Sequence, residues 1–257
     1  VKALEAGVLS LLPGGVAEVN AVVKNDDPVS TVSFAGGLLR ARAASSGFLR
    51  AEQAFGTLRV VAEAGQAVAI DTGANAVTVA APVGTLVVTG PGGLKKLGSG
   101  TLTFSANQVT YAGDTVVEAG TLRLGADNQL PDGVGTGHVQ LAAGCVLDLN
   151  GKSETVNRLL GAGRVLNTNA SSTLGVLADG SSDSWSRAWL TGAIALEKKG
   201  AGTLTLAASQ AVPTSLLVSG GAVRLAQSQG YPYYRFKVEG VKNPGAANAM
   251  QIGRAHV

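Results

Sequence analysis

The chain is poor in the side chains that carry out chemistry. Its 257 residues include one cysteine, one methionine, two histidines and eleven aromatics (5 Phe, 2 Trp, 4 Tyr). Lone Cys145 excludes an internal disulfide and a multi-cysteine zinc site. No run of about 18 apolar residues is available to cross a membrane as a helix. The most apolar window, Ala76 to Val88, is broken by Thr78, Pro82, Gly84 and Thr85, and reads as short strands. Charge is scarce too, with 20 Lys+Arg and 17 Asp+Glu, or 14% of the chain. The sequence pI of about 9.1 arises without a basic block. Lys95-Lys96 and Lys198-Lys199 are too sparse for the dense basic stripe that nucleic acid requires, so no nucleic-acid partner is expected.

What is abundant is glycine, 36 residues, in a chain that is 46% hydrophobic with a mean hydropathy of +0.26. That apolar content and a net charge of only +3 exclude a disordered chain. No window sustains an apolar face at i, i+3, i+4, i+7. Short alternating runs bounded by Gly, Asn, Asp and Ser recur instead, as in Thr57-Leu58-Arg59-Val60, Thr85-Leu86-Val87-Val88 and Thr203-Leu204-Thr205-Leu206. The predicted fold class is all-β.

An internal repeat refines that expectation. Residues 94–104 (LKKLGSGTLTF) match residues 196–206 (LEKKGAGTLTL) at an offset of 196 − 94 = 102. Further on, Ala119-Gly120-Thr121-Leu122-Arg123-Leu124 matches Gly220-Gly221-Ala222-Val223-Arg224-Leu225 with a one-residue slip. Units with few large residues cannot bury their own face and must stack on neighbours. Short strands with irregular turns and no blade signature favour a parallel β-helix over a propeller. An antiparallel sandwich is the simpler competitor, disfavoured by the missing hairpin rhythm. Gly98, Gly100, Gly120, Gly200 and Gly202 are expected to turn the chain, using positive φ. Asn150, Asn157 and Asn167 suit turns because a short amide bonds nearby backbone and tolerates the left-handed region.

The ends differ from the middle. Residues 1–228 read as the repeat region, and Ser228-Gln229-Gly230 as a linker. Residues 229–251 read as the truncated start of a second β domain. The chain begins at Val1 without an initiator Met or signal peptide, which reads as a fragment. Residues 252–257 (IGRAHV) read as the translation of a sequencing adapter and are set aside, leaving His138 as the one histidine.

Residues 94–104 with 115–124, bridged by Tyr111-Ala112-Gly113-Asp114-Thr115, resemble the autotransporter-associated β-strand repeat, also called the passenger-associated transport repeat. Its pattern is Leu-x-Lys-x-Gly-x-Gly-Thr-Leu-Thr-Leu, a polar bridge, then Val-x-x-Gly-Thr-Leu. The second copy, 196–206 with 215–225, keeps the first half but departs in the bridge (Pro213-Thr214-Ser215) and lacks the later Gly-Thr-Leu. The resemblance covers about 29–226. It implies a right-handed parallel β-helix in an exported or cell-surface passenger of a Gram-negative bacterium, serving as a structural stalk that supports adhesion. It also implies that the complete protein is associated with the outer membrane. Residues 234–238 through 247–252 resemble the first strands of a discoidin-type, galactose-binding-like sandwich, which would make Tyr231, Tyr233 and Tyr234 sugar-stacking candidates, with strand-core packing as the alternative.

Candidate chemistry is thin. Glycoside hydrolysis needs two converging carboxylates, and the close pairs are Asp26/Asp27, Asp179/Asp183 and Asp114 with Glu118. The Asp179 to Asp183 stretch has cation-loop spacing but reads better as a solvated turn. His138 lacks a second histidine, and Cys145 lacks a base unless His138 folds onto it. Trp185 and Trp189 in a Ser-rich loop could form a ligand platform or cover a coil edge. No catalytic residue, metal or cofactor is assigned. The expected function is a non-enzymatic surface stalk whose partners are host or environmental glycans or surfaces. The alternative is a polysaccharide-degrading enzyme or glycan-binding module with its active part outside this chain. A groove gathering two or more of Asp114, Glu118, Asp148, Asp179 and Asp183 would favour the enzyme.

Overall fold

The structure is a computed structural model that describes residues 2–4, 7–24, 29–52, 56–81, 83–178, 182–185, 189–207 and 213–226. Tyr231, Tyr233, Tyr234, the proposed linker, the second domain, and Asp26, Asp27 and Asp179 lie outside the described residues. No helix occurs among the described residues, and the strand pairings are parallel throughout. Nine strands stack in one long sheet, so the chain winds as a β-solenoid of about eight turns.

The alternation seen in the sequence sets the winding. In the first part, each turn visits the nine-stranded sheet, then a five-stranded sheet, then a seven-stranded sheet. Register partners on the longest sheet lie from 164 − 146 = 18 residues apart (Val146 and Arg164) to 77 − 45 = 32 apart (Ser45 and Val77). Inward positions therefore form columns. Val22, Leu49, Val79, Phe104 and Leu124 stand in register, every one with no exposed surface. Each such side chain contributes about 1.5–3 kcal/mol relative to exposure, and one rung supplies too few to stand alone.

Turns between strands need backbones that side chains would obstruct. Gly98 has φ 78 and Gly120 φ 69, in the left-handed region that favours glycine. Gly100 and Gly202 depart from the sequence expectation, because neither has positive φ. At Gly100 the cause is close approach: a Cβ there would collide with the Asn75 backbone of the turn below, and its N–H donates to Gly73 O at 2.8 Å. Asn150 is left-handed at φ 52, whereas Asn157 and Asn167 are not; they serve through their side chains.

The winding changes after residue 111. The five-stranded sheet ends at strand Gln108–Tyr111, and a four-stranded sheet begins at strand Glu154–Val156. Between them the chain passes through residues 125–138 without forming a strand.

Candidate functional site

Strand Gly93–Leu97 places Lys95 outward and Lys96 inward. Lys95 Nζ meets Glu118 Oε1 at 2.6 Å on the surface. Lys96 is fully buried in the column Leu39, Ile70, Lys96, Val117, Leu141. It occupies an aliphatic slot, and its stem packs as an aliphatic would. At the corner, Nζ donates to Leu97 O (2.8 Å), Gly98 O (2.7 Å) and, in the following turn, Ala119 O (3.0 Å). Three carbonyls thus surround one ammonium and tie two rungs together. Burial pushes the ammonium down to about 8, opposed by Asp71 and Cys145. Burial raises the Asp71 carboxyl, but the Gly73 N–H (2.8 Å) and Arg40 (Nε to Oδ2, 2.9 Å) outweigh it and hold Asp71 below its ordinary value.

The second repeat builds the same corner. Lys198 ends strand Ile194–Lys198, is fully buried, and stands in register between Val176 and Val218. Its Nζ donates to Leu177 O (3.0 Å), Gly200 O (3.0 Å), Lys199 O, and Gly220 O in the next rung (3.4 Å). Ala119 and Gly220 both precede the glycine of their repeat's second half, Gly120 and Gly221. The second halves of both repeats are therefore clamped by the lysines of their first halves. Sequence reading registered these lysines as part of a pattern and missed their role; the signal was a lysine alternating in phase with inward Leu94.

A second set of buried polar groups fills the strandless stretch. Glu154 is 2% exposed, and its Oε2 accepts the N–H groups of Gln129 (2.7 Å) and Leu130 (3.1 Å), while Oε1 accepts Thr155 N–H (3.0 Å). Gln129 Oε1 in turn accepts Ala106 N–H at 2.8 Å. Asn157 Oδ1 accepts Gly133 N–H (2.7 Å), and its Nδ2 donates to Gly133 O, Thr136 O and Gly137 O. Asn167 bridges Gly151 N–H to Ala193 O in the same manner. Glu154, Gln129 and Asn157 thereby tie the strandless stretch to its neighbours, whereas Asn167 serves a corner beyond it. Burial raises the Glu154 carboxyl to about 8; the three N–H groups oppose that rise and Asp132 adds to it.

The remaining candidates are dispersed. Asp114 accepts His138 N–H (2.8 Å) and Gln140 Nε2–H (2.5 Å). Asp148, fully buried, accepts from Arg123 Nε (2.9 Å), Asn150 N–H (3.0 Å) and Thr168 Oγ1. Glu118 pairs with Lys95. These three carboxylates each serve a local partner. Asp183 lies on strand Ser182–Trp185. Among the described residues no group of three or more His, Cys, Asp or Glu could hold a metal ion. Cys145 is buried beside a shallow hollow lined by Gly144, Ala162, Gly163 and Arg164, and burial pushes its thiol up, away from a reactive thiolate. His138 precedes strand Val139–Leu141 and Cys145 follows it.

The two tryptophans correct the loop reading. Trp185 ends strand Ser182–Trp185 in a three-stranded sheet, in register with Leu206. Trp189 begins strand Trp189–Thr191 in the nine-stranded sheet, in register with Arg164.

Comparison with known proteins meets this geometry at the corners. The passenger-associated-transport-repeat family matches residues 94–124 and 196–211, the segments that carry Lys96 and Lys198. The Adhesin BmaC autotransporter of Brucella suis biovar 1 (strain 1330) is 44% identical over 94 residues, 36% of this chain and 3% of that protein. The match thus spans a small part of the relative's length. No solved structure matches. Residues 94–124 and 196–211, each carrying a buried lysine at its corner of the parallel β-solenoid, are thus similar to the passenger-associated-transport-repeat family.

Proposed function

We propose that the chain is a rigid, non-enzymatic stalk segment of an exported surface passenger that supports adhesion. The observation that carries this reading is the stacked solenoid in which family-matched repeats are clamped rung to rung by Lys96 and Lys198. A continuous parallel stack resists bending because every rung shares ladder bonds with its neighbours, and such solenoids present long surfaces to partners. The adhesin relative supports the surface placement. Dispersal of Asp114, Glu118 and Asp148 onto separate structural partners supports a stalk over a glycosidase. Glycans or host surfaces are the partners this reading favours.

Two measurements test it. Antibodies against residues 94–124 should label intact cells producing the full protein; labelling only after permeabilisation overturns the surface reading. The 257-residue chain should release no reducing sugar from acidic or neutral polysaccharides, and catalytic release overturns the non-enzymatic reading.

A further inference from the structure

We propose that Glu154 is a pH-sensitive latch that holds the strandless segment, residues 126–136, against the solenoid where one sheet ends and the next begins. The ties across that gap lie near the two ends of the segment, where Leu130 is also buried in the core. Its beginning is held by the Glu154 carboxyl on Gln129 and Leu130, by Gln129 on Ala106, and by Asn128 N–H on Ser153 O (3.1 Å), with Asp127 Oδ1 accepting Ser153 N–H (2.8 Å). Its end is held by Asn157. Between these anchors Val134 stands fully exposed, flanked by Gly133 at φ 96 and Gly135 at φ 83, with open space around both glycines.

The latch has two forms of different cost. The three N–H groups bond the anion more strongly than the neutral acid, whose O–H has no acceptor among these contacts, whereas burial favours the neutral acid and outweighs them. Ionisation in place leaves an anion buried at 2% exposure and bonded to three backbone N–H groups. The bonds on the carboxyl come from backbone N–H groups, and the charged groups around it are of both signs. Asp127 and Asp132 on the segment are acidic, and the buried Tyr111 phenol below is bonded to Thr115. Lys152 precedes Glu154 in the chain, and Lys199 Nζ reaches Thr155 Oγ1 (3.4 Å). The ionised carboxylate gains by turning outward to water, which releases Gln129 and Leu130. Because the folded-state value of about 8 lies above the ordinary 4.5, the latch is at full strength below 4.5 and is lost as pH rises through 8.

Amide hydrogen exchange of the full chain tests this, with rates corrected for intrinsic pH dependence and referred to strand Thr101–Ser105. Between about pH 5 and about pH 9, protection of Gln129 and Leu130 should fall at least about ten-fold, as expected for a shift exceeding one pH unit. In Glu154→Gln the fall should vanish. In Asp132→Asn, which removes a neighbouring negative charge, its midpoint should move to lower pH. An equal fall in Glu154→Gln, constant protection in the wild type, or an unmoved midpoint in Asp132→Asn overturns the latch. If Glu154→Gln does not fold, the wild-type profile and the Asp132→Asn midpoint decide the matter.

Discussion

The two repeat corners have the same hydrogen-bond plan and different cover. Around Lys96 the column continues on both sides, with Leu39 and Ile70 below and Val117 and Leu141 above, each nearly or fully buried. Around Lys198 the column runs from buried Val176 to Val218, which is 43% exposed. Strand Ser215–Val218, the last of its sheet among the described residues, also exposes Leu216 and Leu217. The carbonyl clamp is therefore a property of the local corner, whereas its shielding from water depends on how many rungs lie beyond it. A buried ammonium and its carbonyls gain most where water cannot compete.

Substitutions at positions related by the 102-residue offset break or sharpen that contrast. The largest effect is expected at Phe104, fully buried, and its counterpart Leu206, 8% exposed. Phe104→Ala should cost about 4 kcal/mol and Leu206→Ala about 2 kcal/mol, because the better enclosed cavity relaxes less. Local unfolding energies from hydrogen exchange, read on the same chain, would measure both. A cost at Leu206 equal to or above that at Phe104 would overturn the comparison.

Next in size are the clamps. Lys96→Met keeps the stem and strands three carbonyls; it should cost about 3 kcal/mol, against about 1–2 kcal/mol for Lys198→Met, where water can replace the ammonium more readily. Exchange protection of strands Thr121–Leu124 and Ala222–Ala226, which follow the clamped carbonyls, is the readout. A larger loss at Lys198 would reverse the comparison.

The Lys96 clamp also has a pH-dependent part. The Lys96 ammonium titrates near 8 in the folded chain against an ordinary 10.5, so the unfolded chain binds its proton more tightly. The Lys96 contribution should therefore strengthen as pH rises from about 8 to about 10.5, and the slope should disappear in Lys96→Met. Denaturation midpoints of the two proteins across that range would show it. Smallest of all, Glu118→Gln at the exposed Lys95 pair should change stability by under about 0.5 kcal/mol, and a larger change would mean that this pair helps to hold the corner.

Much of the architecture was legible in the sequence. Alternation such as Thr101-Leu102-Thr103-Phe104 specified strands with one buried face, and glycines at repeated intervals specified turns, because period and turn chemistry are local. The family resemblance located both corners. The candidate site was less legible. Lys96 was legible only as part of a Lys-Lys pair in a repeat pattern, since a side chain's phase in a strand becomes burial only once another rung covers it. Glu154 gave no sign in sequence, because its partners Gln129 and Leu130 are 25 and 24 residues away. Trp185 and Trp189, four apart, read as part of one Ser-rich loop and instead end and begin strands of different sheets.

The sequence by itself determined that this protein is all-β, repetitive, glycine-turned and poor in reactive groups, since these follow from local pattern and composition. Only the tertiary structure decided which polar residues lie inside. Stacking brings residues from successive turns within hydrogen-bond reach, so a lysine, a glutamate and two asparagines became interior supports through neighbours 16 to 26 residues away.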